Sequence, residues 1–401
     1  MIDAKPRYEF CDLNIVPCVT TPIESRSECS PYVDDKKRLL PLFAAPMSSV
    51  VDDTNYQDFY DNGITPIVHR NVAFNKRIEL TQQRIWCAWS LDEFNDVFCK
   101  DKFRIYDNLA GNPESDDSIN AADGALHALV DIANGHMQKG LRLARECKDV
   151  AHKHNVRLEI MVGNIANPQA YIEYAKAGVD YCRIGIGGGG FCLTTPNTGV
   201  HYPMASLIDE IRQLRDKYVF ENCMSDEPVT VPKIVADGSI RIFGDINVAL
   251  ACGADYVMIG TVFASCIEAA GMTVYQKSMK PCDLKRWADE EGKGELDEQL
   301  KRFIIDNFEI GKLSYGMSSK KAQMEHIKMQ GKDIKDVQLK TSEGKTDIVP
   351  VKYTLAQWTD NFKSFLKSAM SYTDCLTLEE FCHGDVQLVP KSSGQWTVVN
   401  K

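Results

Sequence analysis

A glycine-rich run that ends in a cysteine and a threonine has the residue types for covalent catalysis. It spans Gly185 to Gly190, and Cys192 and Thr194 follow directly. Glycines permit positive φ angles and let backbone amides and carbonyls approach a ligand or an ion. A thiolate placed beside such a loop is a nucleophile, and here the hydroxyl of Thr194 stands two residues on. The pattern predicts a thiolate site at Cys192; the alternative is a flexible loop with an incidental cysteine.

Two further motifs follow later in the chain, ADGS at 236–239 and IGT at 259–261, and each ends an apolar run. In a barrel protein, the loops after the last two strands often bind phosphate through backbone N–H groups. A carboxylate nearby holds ribose hydroxyls. Each motif alone could be an ordinary strand-to-helix turn, but together and in this order they favour a nucleotide or a sugar phosphate.

Eight short apolar runs must position these motifs, and most are followed by a segment of helical period. The runs are Pro41 to Met47, Thr65 to Asn71, Arg84 to Ser90, Ala125 to Ala133, Val156 to Asn164, Tyr181 to Gly187, Lys233 to Ser239 and Tyr256 to Thr261. Runs that are apolar at nearly every residue suit strands buried on both faces, with a helix in each crossover. We therefore predict an α/β fold, a parallel (β/α)8 TIM barrel. A doubly wound sheet is the alternative, although no G-x-G-x-x-G opens a helix after an early strand.

We expect residues 1–401 to form a single barrel domain. Within it we predict an insert at 268–312 after strand eight, a mobile active-site flap at 318–346 and a C-terminal extension at 375–401. The insert is charged and helix-prone, and the flap is rich in Lys and Gln. Because the loops after barrel strands carry the chemistry, function is expected at the two long connections, Gly188 to Pro232 after strand six and Thr261 to Tyr315 after strand eight.

Composition narrows the possible partners. Apolar residues make up 44% and charged residues 25% of the 401, which is ordinary globular usage. The net charge of −10 repels phosphate backbones and anionic membranes, so we expect no nucleic-acid and no membrane partner. No apolar stretch is long enough for a membrane helix, and the start lacks a signal core, which predicts a cytoplasmic protein. The 14 cysteines include no C-x-x-C pair, and most are expected to be reduced and buried.

Several motifs together resemble the IMP dehydrogenase/GMP reductase family. They are the glycine-rich run with CLT, ADGS, MIGT, AAPMSSV from Ala44 to Val50, IVHRN from Ile67 to Asn71 and SYGMSS from Ser314 to Ser319. They occur in the family's order over nearly the whole chain. The resemblance implies a purine-nucleotide barrel, a thioimidate between Cys192 and purine C2, a nicotinamide cofactor and a homotetramer.

Within the family, the sequence is closer to the reductases. The flap between Ser318 and Ser342 has neither an Arg nor a Tyr, where a dehydrogenase carries an Arg-Tyr pair. The second and third barrel units are separated only by residues 72–83, at the place where dehydrogenases usually have inserted regulatory modules. The segments that look like the reductase forms are 131–136, 198–203, 315–319 and 342–346. The resemblance thus implies NADPH-dependent reductive deamination of GMP to IMP and ammonia.

Roles for individual residues also follow from the resemblance. Cys192 is the implied nucleophile, and Thr194 and Glu343 relay a proton to the leaving amino group. The implied nucleotide contacts are Met47, Asp237, Gly238, Ser239, Gly260, Thr261, Tyr315, Gly316 and Met317. The implied cofactor contacts are Arg70, Asp131, Asn134, Gly135 and Lys340. Carbonyls near Gly187, Gly189 and Cys192 are the implied ligands of K⁺ or another monovalent cation.

Other interpretations remain open at this point. Glu343 fits a solvated loop acid, Asp131 a helix cap and His201 a hydrogen-bonding loop residue. Gly188-Gly189-Gly190 stands where relatives have Pro-Gly-Ser, and His201 stands where they have glycine. The functional alternatives are an NAD-dependent IMP dehydrogenase that forms XMP, a reductase of a modified or deoxy purine nucleotide, and a non-catalytic purine-nucleotide sensor.

Overall fold

Eight parallel strands close into a barrel in the computed structural model, which describes residues 4–107, 124–224, 230–275, 298–329, 337, 339 and 341–391. Strand β1 (Leu13–Ile15) precedes the barrel. The barrel strands in chain order are β2 (Leu42–Ala44), β3 (Thr65–Val68), β4 (Trp86–Trp89), β5 (Leu126–Asp131), β6 (Leu158–Ile165), β7 (Tyr181–Ile184), β8 (Lys233–Asp237) and β9 (Tyr256–Ile259). Seven of these eight strands lie inside a predicted run, and β6 extends one residue past its run, to Ile165, so the predicted (β/α)8 barrel is confirmed.

Helices follow the strands along the chain. They are α1 (Tyr56–Asp61), α2 (Phe74–Gln82), α3 (Leu91–Phe94), α4 (Gln138–Lys153), α5 (Pro168–Lys176), α6 (Thr194–Thr198), α7 (Met204–Asn222), α8 (Phe243–Ala251), α9 (Glu298–Asn307), α10 (Lys320–Met329), α11 (Leu355–Tyr372) and α12 (Leu378–His383). The start of α5 shows how the sequence sets a boundary. The Asn167 side chain accepts the N–H of Gln169 at 2.9 Å, and Pro168 occupies the first helical turn.

Strand β4 shows why most positions in the barrel strands are apolar. Trp86 and Ala88 belong to the cluster inside the barrel, whereas Cys87 and Trp89 belong to the larger cluster that includes residues of the surrounding helices. All four are at most 3% exposed. Side chains alternate between the two faces of a strand, so a strand covered on both faces loses the apolar–polar alternation.

The chain after β9 leaves the barrel and builds a small antiparallel sheet. Its strands are β10 (Thr273–Tyr275), β11 (Ile310–Tyr315) and β12 (Thr346–Pro350), in the order β10-β11-β12. The predicted insert contains β10 and α9; its residues 276–297 lie outside the described part of the chain. The predicted flap contains α10 and emerges between β11 and β12. Because Tyr315 is paired with Thr346, the two ends of the flap are held together.

The C-terminal segment returns to the N-terminus. Strand β13 (Leu388–Pro390) pairs antiparallel with β1, with Leu13 opposite Pro390. Helix α12 buries Phe381 completely. The weak alternation in the sequence did not reveal this pairing, because each strand has only three residues and its partner lies at the other end of the chain.

Most described cysteines are free, and many are buried, as expected. Burial raises the pKa of the Cys87 thiol to about 12, which keeps it protonated and unreactive. Cys99 and Cys147 differ, because they form a disulfide between the π-helical turn after α3 and helix α4. No helix in the described ranges is both long and apolar enough to cross a bilayer.

The last long helix, α11, provides a test of the barrel packing. Trp358 is 1% exposed and contacts Phe263 at a ring-centroid distance of 4.8 Å. We expect Trp358→Ala to lower the free energy of unfolding by about 3–5 kcal/mol, because it leaves a large cavity. Phe365→Ala, on the same helix but 47% exposed, should cost well under half as much. Urea denaturation measures both, and equal losses would contradict this account of the packing.

Candidate functional site

A cleft lies at the carboxyl ends of the barrel strands. It is lined by the glycine-rich run after β7, the loops after β8 and β9, the loop after β2 and both ends of the flap. The chain segments that carry the predicted chemistry therefore meet at one end of the barrel. This is the end at which barrel proteins place their active sites.

Three side chains in the cleft form a continuous hydrogen-bonded chain. The Cys192 Sγ lies 3.3 Å from Oγ1 of Thr194. The Thr194 hydroxyl donates to Oε2 of Glu343 at 2.8 Å. Glu343 is thus placed against Thr194 in the cleft rather than as a solvated loop acid. The arrangement can carry a proton between the carboxylate and the region beside the sulfur.

Backbone pairing holds this chain together. The Leu193 N–H donates to the Glu343 carbonyl at 2.7 Å, and the Lys345 N–H donates to the Phe191 carbonyl at 3.0 Å. The segment around Cys192 therefore pairs with the end of the flap through an isolated antiparallel bridge, with Cys192 opposite Gly344. The closeness favours glycine at 344, because a Cβ there would lie 3.0 Å from the Ser319 nitrogen and 3.2 Å from Gly316, and these neighbours would have to move.

The glycine-rich run packs against the neighbouring loops with little space. Gly187 has φ +81°, and a Cβ there would lie 1.6 Å from Oγ1 of Thr195. The Ser239 N–H donates to the Gly188 carbonyl at 2.9 Å. A Cβ at Gly190 would lie 2.8 Å from Oγ1 of Thr261. The hydroxyls of the two predicted phosphate loops therefore border the run directly.

Most predicted nucleotide contacts line the same cleft, and Tyr315 does not. The lining includes Met47, Asp237, Gly238, Ser239, Gly260, Thr261, Gly316 and Met317. Tyr315 is 6% exposed, and its hydroxyl donates to the carboxylate of Glu325 on α10 at 2.7 Å. Burial and this carboxylate raise the pKa of Tyr315 to about 12 despite an opposing hydrogen bond to Ser48. Tyr315 thus anchors the flap helix here.

A buried arginine joins two predicted subsites. Arg183 Nε donates to Asp237 at 2.8 Å, and its Nη1 donates to Asp131 at 2.8 Å. Asn164 donates to the same Asp237 oxygen at 2.8 Å, and Arg70 pairs with Asp131 at 3.1 Å. Burial alone would lower the pKa of Arg183, but the two carboxylates raise it above its ordinary value.

Arg183 and Asn164 were not among the site residues predicted from the sequence. A charged residue inside the otherwise apolar run YCRIGIG was the available signal, because a buried charge needs a partner of opposite sign. Asn164 gave no comparable signal. Both line the cleft.

The predicted cofactor contacts are only partly brought together. Arg70 and Asp131 line the cleft, which places a paired cation and carboxylate beside it. Asn134 and Gly135 lie in the following loop, where Asn134 accepts the His136 N–H at 3.1 Å and Gly135 accepts the Tyr174 hydroxyl at 2.6 Å. Lys340 lies outside the described residues. Arg70 and Asp131 could therefore form hydrogen bonds to a polar end of a cofactor.

The predicted cation ligands are neighbours in the run. The Gly189 carbonyl accepts the Cys192 N–H at 2.9 Å, so one of the three predicted carbonyl groups already has a partner in the turn. Among the described residues, no group of three His, Cys, Asp or Glu side chains is arranged to hold a metal ion. The cation site stays a prediction.

Comparison with known proteins gives consistent matches. An inosine-5'-monophosphate dehydrogenase of Chlorobaculum parvum is 35% identical over 162 residues, 39% of this chain and 30% of that protein. A GMP reductase of Chromobacterium violaceum is 29% identical over 274 residues, 67% of this chain and 75% of that protein. A GMP reductase of Streptococcus pyogenes serotype M49 is 25% identical over 403 residues, 98% of each chain. The match to the dehydrogenase spans less than a third of its length.

A family model described as IMP dehydrogenase / GMP reductase domain matches residues 7–283. These residues include all eight barrel strands, the glycine-rich run and Cys192. Since the match covers more than half of a chain that folds as a (β/α)8 barrel, this protein belongs to the IMP dehydrogenase/GMP reductase family.

Proposed function

We propose that this protein is a GMP reductase, an oxidoreductase that converts GMP to IMP and ammonia with NADPH. The observation that carries the proposal is the hydrogen-bonded chain from Cys192 through Thr194 to Glu343. The full-length similarity to a reductase of Streptococcus pyogenes supports it.

The chain's own residues account for loss of the amino group. The Cys192 thiolate forms a bond to purine C2, and the carbon–nitrogen bond to the 2-amino group breaks. Glu343 passes a proton through the Thr194 hydroxyl to that nitrogen, which leaves as ammonia. A thioimidate between Cys192 and C2 remains. NADPH, when bound, supplies the hydride that replaces sulfur at C2 and so completes IMP.

The polar groups at the cleft suit the two small molecules. Asp237, fixed by Arg183 and Asn164, is the proposed ribose contact, and the loops that carry Ser239 and Thr261 are the proposed phosphate contacts. Arg70 and Asp131 would hold the NADPH end that reaches the cleft. A homotetramer in the cytoplasm, and K⁺ or another monovalent cation near Gly187, Gly189 and Cys192, complete the proposal.

The flap favours the reductase over the dehydrogenase. Dehydrogenation of IMP needs a group that activates water, and between Ser318 and Ser342 the sequence contains no arginine or tyrosine for that task. Thr194 is instead paired with a carboxylate, which suits proton transfer to a leaving amine. The alternatives are separated by the products formed.

The proposal is tested by incubating the protein with NADPH and each of a set of purine mono- and deoxynucleotides. Absorbance at 340 nm measures NADPH consumption, and released ammonia is assayed in parallel. We expect GMP to give one ammonia for each NADPH consumed, and Cys192→Ala to abolish both. XMP formation from IMP and NAD would instead show the dehydrogenase. Faster turnover of a deoxy or modified nucleotide would change the assigned substrate, and tight GMP binding without any turnover would show a sensor.

Glu343 is testable separately from the nucleophile. Glu343→Gln keeps the side chain's shape but removes its capacity to carry the proton, so we expect kcat to fall about 100-fold or more. GMP should still protect Cys192 from iodoacetamide in this variant. Asp347→Asn, an exposed acid on β12, is the matched control and should leave kcat unchanged. An unaffected kcat in Glu343→Gln would exclude the proposed relay.

Arg183 should affect both substrates, because it joins the proposed ribose and cofactor contacts. Arg183→Gln leaves two carboxylates without their shared cation, and we expect KM for GMP and for NADPH each to rise roughly tenfold. Asp131→Asn should raise mainly the KM for NADPH. Steady-state kinetics with each substrate varied measures this, and thermal unfolding checks that both variants fold. A rise confined to one substrate in Arg183→Gln would show that the subsites are not coupled through this residue.

A further inference from the structure

His201 connects the N-terminal segment to the glycine-rich run. Its Nδ1 lies 2.8 Å from the Ile186 carbonyl oxygen, and its Nε2 lies 2.6 Å from Oε1 of Glu9. The side chains of His201 and Glu9 are 23% and 26% exposed. The imidazole thus bridges two segments that are almost 180 residues apart in sequence.

Both partners of this imidazole accept hydrogen bonds. A backbone carbonyl has no proton to donate, and an ionised carboxylate accepts only. A neutral imidazole donates from one nitrogen, so it would turn a lone pair toward one of the two oxygens. The two contacts are satisfied together only by the imidazolium form, in which both nitrogens donate.

The charges around His201 agree with this form. The second oxygen of Glu9 accepts the Met204 N–H at 3.2 Å, and the Glu9 N–H donates to Asp12 at 2.9 Å. Burial alone would lower the pKa of His201, but the hydrogen bonds to Ile186 and Glu9 and the charge of Glu9 raise it overall.

The neighbouring charges on α7 and the N-terminal segment pair with each other. Glu210 lies 3.2 Å from Arg7 and 3.5 Å from Lys5, and it accepts the Tyr202 hydroxyl. These cations are therefore compensated by Glu210, which leaves Glu9 as the carboxylate that faces the imidazole.

The contact with Ile186 holds the middle of the run. The Gly185 N–H donates to the Ile165 carbonyl at 2.8 Å, and the Gly188 carbonyl accepts the Ser239 N–H at 2.9 Å. Between these two anchors, the Ile186 carbonyl is held by His201. Cys192 lies six residues further on, so the path of the run decides where the sulfur lies relative to Thr194.

We propose that His201, as an imidazolium held by Glu9, is a positioning residue that fixes the Ile186 carbonyl and thereby the path of the run that carries Cys192. The activity part of this proposal rests on the proposed function; the structural part does not. The competent arrangement is present while His201 is protonated and is lost as the pH rises through its raised pKa.

The test combines histidine titration, thiol alkylation and kinetics on the full chain at constant saturating K⁺. The variants are His201→Gln, Glu9→Gln and, as a matched control, His152→Gln, an exposed histidine on α4. We expect the NMR titration midpoint of His201 to lie above the ordinary value of about 6.5 and to fall in Glu9→Gln. The histidine NMR signal that is absent from the spectrum of His201→Gln is assigned to His201.

The pH profiles of activity and of Cys192 alkylation then distinguish a positioning role of His201 from an effect on the stability of the fold. Below the midpoint, kcat/KM in His201→Gln should be about tenfold under that of the unmodified protein, and the two should converge as the pH rises. The ratio of their Cys192 alkylation rates should converge to one over the same interval, whereas His152→Gln should give a ratio of one throughout.

Two results would overturn the proposal: a His201 midpoint at or below the ordinary value, or His201→Gln profiles parallel to those of the unmodified protein. If the titration and alkylation behave as expected but GMP is not turned over, the proposed function fails and the positioning role stands.

Discussion

The hydrogen bond between Thr194 and Glu343 is the interaction on which the candidate site depends. It joins residues that are 149 positions apart. Through the Thr194 hydroxyl it connects the Glu343 carboxylate to the Cys192 sulfur. Neither side chain could maintain this contact from a freely moving loop. It is maintained because the backbone on either side is paired, Leu193 with Glu343 and Phe191 with Lys345. The chemistry proposed for the barrel therefore requires the small sheet outside it.

Charge compensation is the second constraint on the site. Arg183 is buried between Asp131 and Asp237, and each carboxylate has a further partner, Arg70 or Asn164. A buried charge is tolerated only where its partners are held in place, so these side chains have little freedom. The cleft consequently has mutually paired polar side chains on one side, and the two ends of the flap, at Ser318 and Glu343, also line it.

The fold was predictable because its signal is local. Most barrel-strand residues are apolar whichever face they occupy, so a run is recognisable without knowing its neighbours, as the Trp86–Trp89 strand shows. The sequence also singled out Cys192, Thr194 and Glu343, because a glycine-rich run beside a cysteine is distinctive and the family resemblance supplied the acid; the structure brings the three side chains into contact. The pairing of Arg183 with Asp131 was missed because the two residues are 52 positions apart. The contact of Tyr315 with Glu325 was missed because it depends on how helix α10 packs against β11.

The sequence by itself determined the eight strands, the order of the loops at their carboxyl ends and which residues are candidates for the chemistry, because hydrophobic periodicity and residue chemistry are properties of short segments. Only the tertiary structure decided which of those groups touch. Glu343 reaches Thr194, Arg183 bridges two aspartates and His201 links Glu9 to Ile186 because barrel closure and strand pairing bring distant segments within hydrogen-bond distance. Such distances depend on how the elements pack against each other, and no short stretch of sequence specifies them.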